Sequence, residues 1–211
     1  MARGSGLLSP IKQVISIADQ AMPEYIFPLE FVSVCREGGD SPEERRKSRM
    51  RFQLLDRILA FEPEKSLRGL KRLTGGEEYL ADHFPGFPIM PGVLQLQALV
   101  EAASWLLRLT DHYRHSVIVL REVKSVRFGN LMVPGKALEV SAELVRRDDS
   151  GATFKAKGEA DGLPTVNAQF TLASYNLADR NPAWAERDER LRKHWMSLYE
   201  WLTVGTAMKA G

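Results

Sequence analysis

The chain has 211 residues, 44% hydrophobic and 27% charged, a balance that is typical of a folded globular protein and argues against a disordered or fibrous chain. One core with terminal extensions fits this length better than two full domains. The formal net charge of +2 is too small to indicate nucleic-acid binding by itself, and the single cysteine, Cys35, excludes an internal disulfide and a four-cysteine zinc site.

Residues 1–13 lack the features of a secretion signal, because Pro10 and Lys12 interrupt their apolar run. No stretch reaches the roughly 18 to 20 apolar residues that span a bilayer. We therefore expect a cytoplasmic protein without a membrane span.

Three parts are predicted: an N-terminal extension over 1–50, a central domain over 51–176 and a C-terminal helical extension over 177–211. The first part ends in a charge run with a basic segment from Arg45 to Arg51. Such a run is usually a solvated face, and the alternative is a docking surface for an acidic partner.

The central domain opens with two strand-like runs, 54–61 and 67–73, and the turn-prone residues 62–65 between them predict a hairpin. The segment 93–107 is apolar nearly all round, which predicts a helix buried on most sides. Pro91 and Gly92 suit its start, where a missing amide hydrogen costs nothing.

Four further strands are predicted over 117–128, 138–144, 153–160 and 166–172. The second and fourth of these alternate apolar and polar residues, so each has one covered face. An α+β fold, in which an antiparallel sheet wraps around one long central helix, buries both the helix and the apolar face of the sheet.

The C-terminal segment predicts a helix that begins with Asn181 as N-cap and Pro182 as first helical residue. Its apolar residues form one stripe, which consists of Trp184, Leu191, Trp195, Leu198 and Leu202. This stripe is interpreted as a surface for core docking or subunit contact, since the segment carries charges of both signs.

A histidine followed by a proline-rich turn and a buried helix is the most informative pattern, and it extends from His83 to Ala98. The prolines restrict the loop, so it can hold His83 in place. Histidine exchanges protons near neutral pH. The amide of Gly92 at the helix start directs a positive dipole end at any carbonyl beside it. These parts suit polarisation of a thioester and removal of its α proton.

Two other histidines are candidate metal ligands. His112 and His115 are three residues apart near a predicted helix end, but no Asp, Glu or Cys is placed to complete a ligand set, so no metal is expected. Asp82 is a candidate either for orienting His83 or for capping a turn.

The segment His83-Phe84-Pro85-Gly86-Phe87-Pro88-Ile89-Met90-Pro91-Gly92-Val93-Leu94 resembles the hallmark of the β-hydroxyacyl-acyl-carrier-protein dehydratases of the FabZ type. Residues 52–57 and 128–135 are similar to two further segments of that family. The resemblance covers about 52–175 and leaves both ends of the chain outside it.

The resemblance implies a hot-dog fold, a homodimer or trimer of dimers, and an acyl tunnel along the helix. It also implies dehydration of a 3-hydroxyacyl chain carried on the phosphopantetheine of acyl carrier protein, in fatty acid or related lipid or polyketide biosynthesis, without a further cofactor. His83 falls on the catalytic histidine and Gly92 on the glycine whose amide meets the thioester carbonyl. The expected substrate-binding residues are Phe84, Pro85, Phe87, Pro91 and Val93.

The sequence departs from the family at Gln97, where the resemblance places a catalytic glutamate. A carboxylate can exchange a proton, whereas an amide can only hydrogen-bond, for instance to the leaving water. Glu101 is a possible substitute carboxylate, because it lies one helical turn further on the same face, about 6 Å along the axis. The alternative is that Glu101 simply finds a polar partner or water.

Three functions therefore stay open at this point. The first is a dehydratase that uses His83 as base, Gly92 as oxyanion donor and Gln97 on the leaving water. The second is a catalytically impaired acyl or carrier-protein binder, or one subunit of a heteromer whose partner supplies the carboxylate. The third is a hot-dog thioesterase, in which water attacks the same carbonyl.

Overall fold

The computed structural model describes residues 53–148 and 151–206, which contain six strands and two long helices. The strands are β1 (Arg57–Glu62), β2 (Ser66–Arg72), β3 (Val117–Phe128), β4 (Ala137–Asp148), β5 (Gly151–Ala160) and β6 (Leu163–Tyr175). The helices are α1 (Gly92–Thr110) and α2 (Ala185–Thr203). The predicted extension 1–50, including Cys35 and the segment from Arg45 to Arg51, lies outside the described residues.

The six strands form one antiparallel sheet in the order β1-β2-β4-β5-β6-β3. The predicted hairpin is confirmed, since β1 pairs with β2 and Glu62 lies opposite Ser66. The predicted succession of two strands, a helix and four strands is confirmed as well. Strands β1 and β3 form the two edges, so in this chain each has a single neighbour.

Buried and exposed side chains alternate along the strands, so the sheet has one covered face and one solvent-exposed face. On β4, Leu138, Val140 and Ala142 are buried, while Glu139 and Glu143, which alternate with them, are exposed. The covered face packs against α1, as a hot-dog fold requires, and the expected α+β architecture is confirmed.

Residues 102–108 of α1 are all buried, because the sheet covers one side of this segment and α2 covers the other. The Trp105 ring meets Trp195 of α2 edge to face, with 6.0 Å between ring centroids, and lies 6.1 Å from the Tyr199 ring. The guanidinium of Arg108 lies 3.9 Å from the centroid of a Trp195 ring. The helix that the sequence predicted from its apolar residues is therefore covered by two layers, the sheet and α2.

A buried carboxylate fixes the start of α2 to the sheet. Asp188 accepts hydrogen bonds from the Ser116 hydroxyl and from the amides of Leu177 and Ala178, the latter two at 2.8 Å each. Burial alone would raise the pKa of Asp188, but these bonds outweigh it and hold the pKa below its usual value. The indole of Trp195 donates to the carbonyl of Ser116 at 3.1 Å and so adds a second polar attachment.

The predicted start of the C-terminal helix was placed too early. Asn181 does cap, since its side chain accepts from the amide of Ala183 at 3.1 Å, but the turn that it caps is the short 3-10 turn Pro182–Trp184. Helix α2 begins at Ala185. Leu191 and Leu202 of the predicted stripe are buried within this chain, so part of their role is to dock α2 onto the rest of the fold. None of the helices within the described ranges is both long and apolar enough to cross a membrane.

Replacing Trp195 by alanine should lower the free energy of unfolding by about 2 to 4 kcal/mol, because it removes a large aromatic group from between α1 and α2. Urea unfolding followed by fluorescence and circular dichroism measures the change. Trp201→Ala on the same helix is the matched control, since Trp201 is 58% exposed. It should change the value by less than about 0.5 kcal/mol. Equal losses in both variants would contradict this account of α2 docking.

Candidate active site

The loop that carries His83 is closed by its own backbone hydrogen bonds. Phe84 and Phe87 exchange amide-to-carbonyl bonds of 3.2 and 2.9 Å, and Gly86 between them adopts φ +80°, which favours glycine. The amide of Ile89 donates to the carbonyl of His83 at 3.0 Å. The predicted turn is therefore a compact unit that sets where His83 lies.

The ring of His83 is oriented by a carbonyl of the same loop. Its Nδ1 lies 3.0 Å from the carbonyl oxygen of Ile89, and only a protonated Nδ1 can donate to that acceptor. The other nitrogen, Nε2, then carries the lone pair and is free to accept a proton. The Phe84 ring stacks on the imidazole with 4.1 Å between centroids. The exposed Asp82 is not needed for this orientation.

Gly92 is the first residue of α1, and its amide and that of Val93 have no partner inside the helix, whereas Leu94 and Gln95 donate to the Pro91 carbonyl. A Cβ atom at this position would lie 2.9 Å from the ring of Phe128, which is too close for any larger residue without displacing that ring. Pro91 precedes it as the N-cap residue in an extended conformation. The helix start thus offers free N–H groups beside an aromatic ring.

Exposed apolar side chains surround the helix start. They are Phe84, Phe87, Val93, Phe128 and Leu131, each more than half exposed. The segment with Leu131 is attached to the loop because the amide of Met90 donates to the carbonyl of Met132 at 2.8 Å. We call these five residues the apolar rim. A concentration of exposed apolar side chains marks a binding surface for a ligand or another protein.

The expected substrate-binding residues thus fall into two groups. Phe84, Phe87 and Val93 belong to the apolar rim, and Pro85 is exposed in the same turn. Pro91 is partly buried and shapes the helix start.

Gln97 lies on α1 five residues after Gly92, and its side chain is only partly buried. Helical geometry places it about 7.5 Å along the axis from Gly92. An amide at this position donates and accepts hydrogen bonds but carries no transferable proton near neutral pH.

The carboxyl group of Glu101 is already hydrogen-bonded to backbone amides of the same chain. Its Oε2 accepts the amides of Leu54 and Leu55 at 2.7 and 3.2 Å, just before β1. Burial raises the pKa of Glu101 to about 7, although these two amide bonds, Arg108 and the Trp105 side chain each oppose the rise. This placement favours the alternative in which Glu101 satisfies a polar partner over its use as substitute carboxylate.

Two features of this site were missed from the sequence. The carbonyl of Ile89 as acceptor for His83 leaves no signal, since every residue has a carbonyl. The contact of Phe128 with Gly92 joins residues far apart in the chain, although Phe128 was recognised as the end of a strand similar to the family. Within residues 53–148 and 151–206, no cluster of three His, Cys, Asp or Glu side chains is suited to a metal ion.

The comparisons with known proteins agree with this geometry. Residues 47–169 match the family described as FabA-like domain. The 3-hydroxyacyl-[acyl-carrier-protein] dehydratase FabZ of Anaeromyxobacter sp. (strain K) is 37% identical over 134 residues, which cover 61% of this chain and 83% of the relative. The FabZ dehydratase of Janthinobacterium sp. (strain Marseille) is 33% identical over 133 residues, which cover 62% of this chain and 85% of the relative.

Two solved structures are similar over most of their length. Smu.793 from Streptococcus mutans, bound to acetyl CoA, has a TM-score of 0.46 at 14% identity and covers 61% of this chain and 94% of that one. AziG from S. sahachiroi has a TM-score of 0.47 at 14% identity, covering 65% and 98%.

The fold and the histidine loop at the helix start define a hot-dog protein of the FabA-like domain class. Within that class, the chain belongs to the family of FabZ-type 3-hydroxyacyl-acyl-carrier-protein dehydratases.

The raised pKa of Glu101 makes a prediction about stability. The folded protein holds a proton on this carboxyl between about pH 4.5 and 7 while the unfolded chain does not, so stability should fall as pH rises through this window. The decrease in the free energy of unfolding that is due to Glu101 should be roughly 3 kcal/mol at most. Glu101→Gln keeps an oxygen for the amides of Leu54 and Leu55, and it should lack this part of the pH dependence.

Urea unfolding at pH 5 and pH 8 measures the effect in both proteins. Glu143→Gln, which changes an exposed glutamate of β4, is the matched control and should behave as the original protein does. An unchanged pH dependence in Glu101→Gln would contradict the assignment.

Proposed function

We propose that this protein dehydrates 3-hydroxyacyl thioesters of acyl carrier protein to trans-2-enoyl thioesters. The observation that carries the proposal is the bond from His83 Nδ1 to the Ile89 carbonyl, which places the lone pair of the neutral imidazole on Nε2, in the loop that leads into the helix start. Membership of a dehydratase family supports the same reaction. We propose the cytoplasm and fatty acid or related lipid biosynthesis as its setting.

In the proposed reaction, the Gly92 amide donates to the thioester oxygen and makes the α proton more acidic. His83 Nε2 removes that proton, the C2–C3 double bond forms and the C3–O bond breaks. The leaving hydroxyl needs one proton to depart as water. The imidazolium of His83 holds the proton taken from C2 and donates it to this hydroxyl. The role of Gln97 is to hydrogen-bond the leaving hydroxyl and orient it.

The amide of Gln97 sets the expected rate. General acid or base help is typically worth about 10²- to 10⁴-fold, and Gln97 cannot supply it. We therefore propose a slow or specialised dehydratase whose limiting step is loss of the hydroxyl group.

A second copy of the chain is the proposed partner in the assembly. Strand β3 is an edge strand, and unpaired backbone groups on an edge are a template for pairing with another strand. Its exposed residues Val119 and Leu120, together with Phe128 of the apolar rim, supply apolar area for such a contact. We propose a homodimer across β3, and a trimer of dimers stays a prediction.

Acyl carrier protein, an acidic partner, is the proposed carrier of the substrate. Lys124 and Arg127 are exposed on β3, and Arg127 directly precedes Phe128 at the apolar rim. Positive charge beside the site would steer an acidic partner toward it. The segment from Arg45 to Arg51, expected as an alternative docking surface, lies outside the described residues.

The replacement of a carboxylate by Gln97 favours one further candidate function. In this candidate, the protein binds acyl chains or carrier protein without turnover, or it acts as one subunit of a heteromer whose partner supplies the carboxylate. The His83 loop and the helix start would then hold the thioester while the chemistry is absent or shared.

Two substitutions test the proposal. With a series of 3-hydroxyacyl-carrier-protein thioesters, His83→Ala should abolish enoyl formation, because it removes the base. Gln97→Glu should raise the rate by about 10-fold or more, because it restores a group that can transfer a proton. Mass spectrometry of the carrier-bound acyl chain follows both changes, and it also detects the free acid that a thioesterase would release.

Gln169→Glu on the outer face of β6 is the control for added charge and should leave the rate unchanged. Binding of the thioester without enoyl formation by the original protein, at every chain length, would contradict dehydration and leave the binding function.

A further inference from the structure

A lysine lies among the inward-facing positions of β2. Leu67, Gly69 and Lys71 alternate along the covered face of this strand, and Lys71 is 6% exposed. It stands opposite Leu138 of β4, which is fully buried. Removing an ammonium group from water is costly unless a partner compensates it.

The partner of Lys71 is Glu77. The Nζ atom of Lys71 lies 2.5 Å from Oε1 of Glu77, whose side chain is 22% exposed. The other ion pair of β2, Arg68 with Glu139, lies on the opposite face with both side chains more than half exposed. Lys71 and Glu77 therefore form the shielded pair of this strand.

Glu77 belongs to the segment that leads to His83. It is the N-cap residue of the 3-10 turn Glu78–Leu80, and Leu80 inserts into the core three residues before His83. At the other end of the loop, Met90 is attached to Met132 by a backbone hydrogen bond. The loop with His83 thus lies between two attachments, of which the first is the ion pair.

Stability alone does not account for a buried ion pair. Replacing such a pair with apolar residues of similar volume is often neutral or stabilising, and buried pairs can instead specify one conformation. An apolar contact between β2 and the loop would tolerate several loop positions, whereas a lysine and a carboxylate at hydrogen-bond distance fix one.

We propose that Lys71 is a positioning residue for His83, acting through Glu77 to set where the loop presents the imidazole beside the helix start. This role rests on the proposed dehydration. A displacement of the catalytic group by about 1 Å can cost on the order of 10²-fold in rate, so a small shift of the loop has a large effect.

The test compares Lys71→Met with the double variant Lys71→Met/Glu77→Leu. Lys71→Met should lower kcat/KM by about 10- to 100-fold, mainly through kcat, and should move the Cε1 proton resonance of His83 in the NMR spectrum. The double variant leaves no unpaired buried charge, so its urea midpoint should return to that of the original protein. Its rate and its His83 resonance should stay altered.

The chain has four histidines, so His83→Ala assigns the resonance directly. Arg68→Met on the same strand is the matched control and should change neither measurement. The proposal is overturned if Lys71→Met leaves rate and resonance unchanged, or if the double variant restores both along with stability. If the original protein has no turnover, dehydration fails, and the His83 resonance still decides the role of Lys71.

Discussion

Burial of α1 is the constraint on which the rest of the structure depends. The helix is apolar around most of its circumference, so it needs cover from the sheet and also from α2. Because residues 102–108 are buried, the first turns, which include the exposed Val93, are the part of the helix beside the His83 loop that is open to a ligand. The amides of Gly92 and Val93 lie at this open end, and the loop with His83 leads into it, which supports the proposed polarisation of a thioester there.

Local sequence patterns predicted the parts of the fold that depend on local physics. Alternation identified the strands, the apolar segment identified α1, and glycine and proline identified the turn after His83. The predicted start of α2 lies three residues too early, because Asn181 and Pro182 suit a 3-10 turn as well as an α-helix. Contacts between distant residues left no pattern to read, and these include Glu101 with Leu54 and Lys71 with Glu77.

Gln97 and Glu101 show why residue type alone does not assign a role on this helix. They lie one turn apart, and the carboxylate of the pair is the one tied to the backbone before β1. Gln97, which is partly buried, carries an amide. Within the described residues, the chain therefore has an amide and no free carboxylate at the position where the resemblance places a catalytic glutamate.

The central claim is that His83 and the start of α1 form a working site for removing the α proton, whatever Gln97 does to the later step. Incubating the protein with a 3-hydroxyacyl-carrier-protein thioester in D₂O, and measuring deuterium at C2 by mass spectrometry, tests this claim most directly. The account predicts that deuterium enters at C2 and that His83→Ala prevents it. A protein that binds the thioester but leaves C2 without deuterium would contradict it.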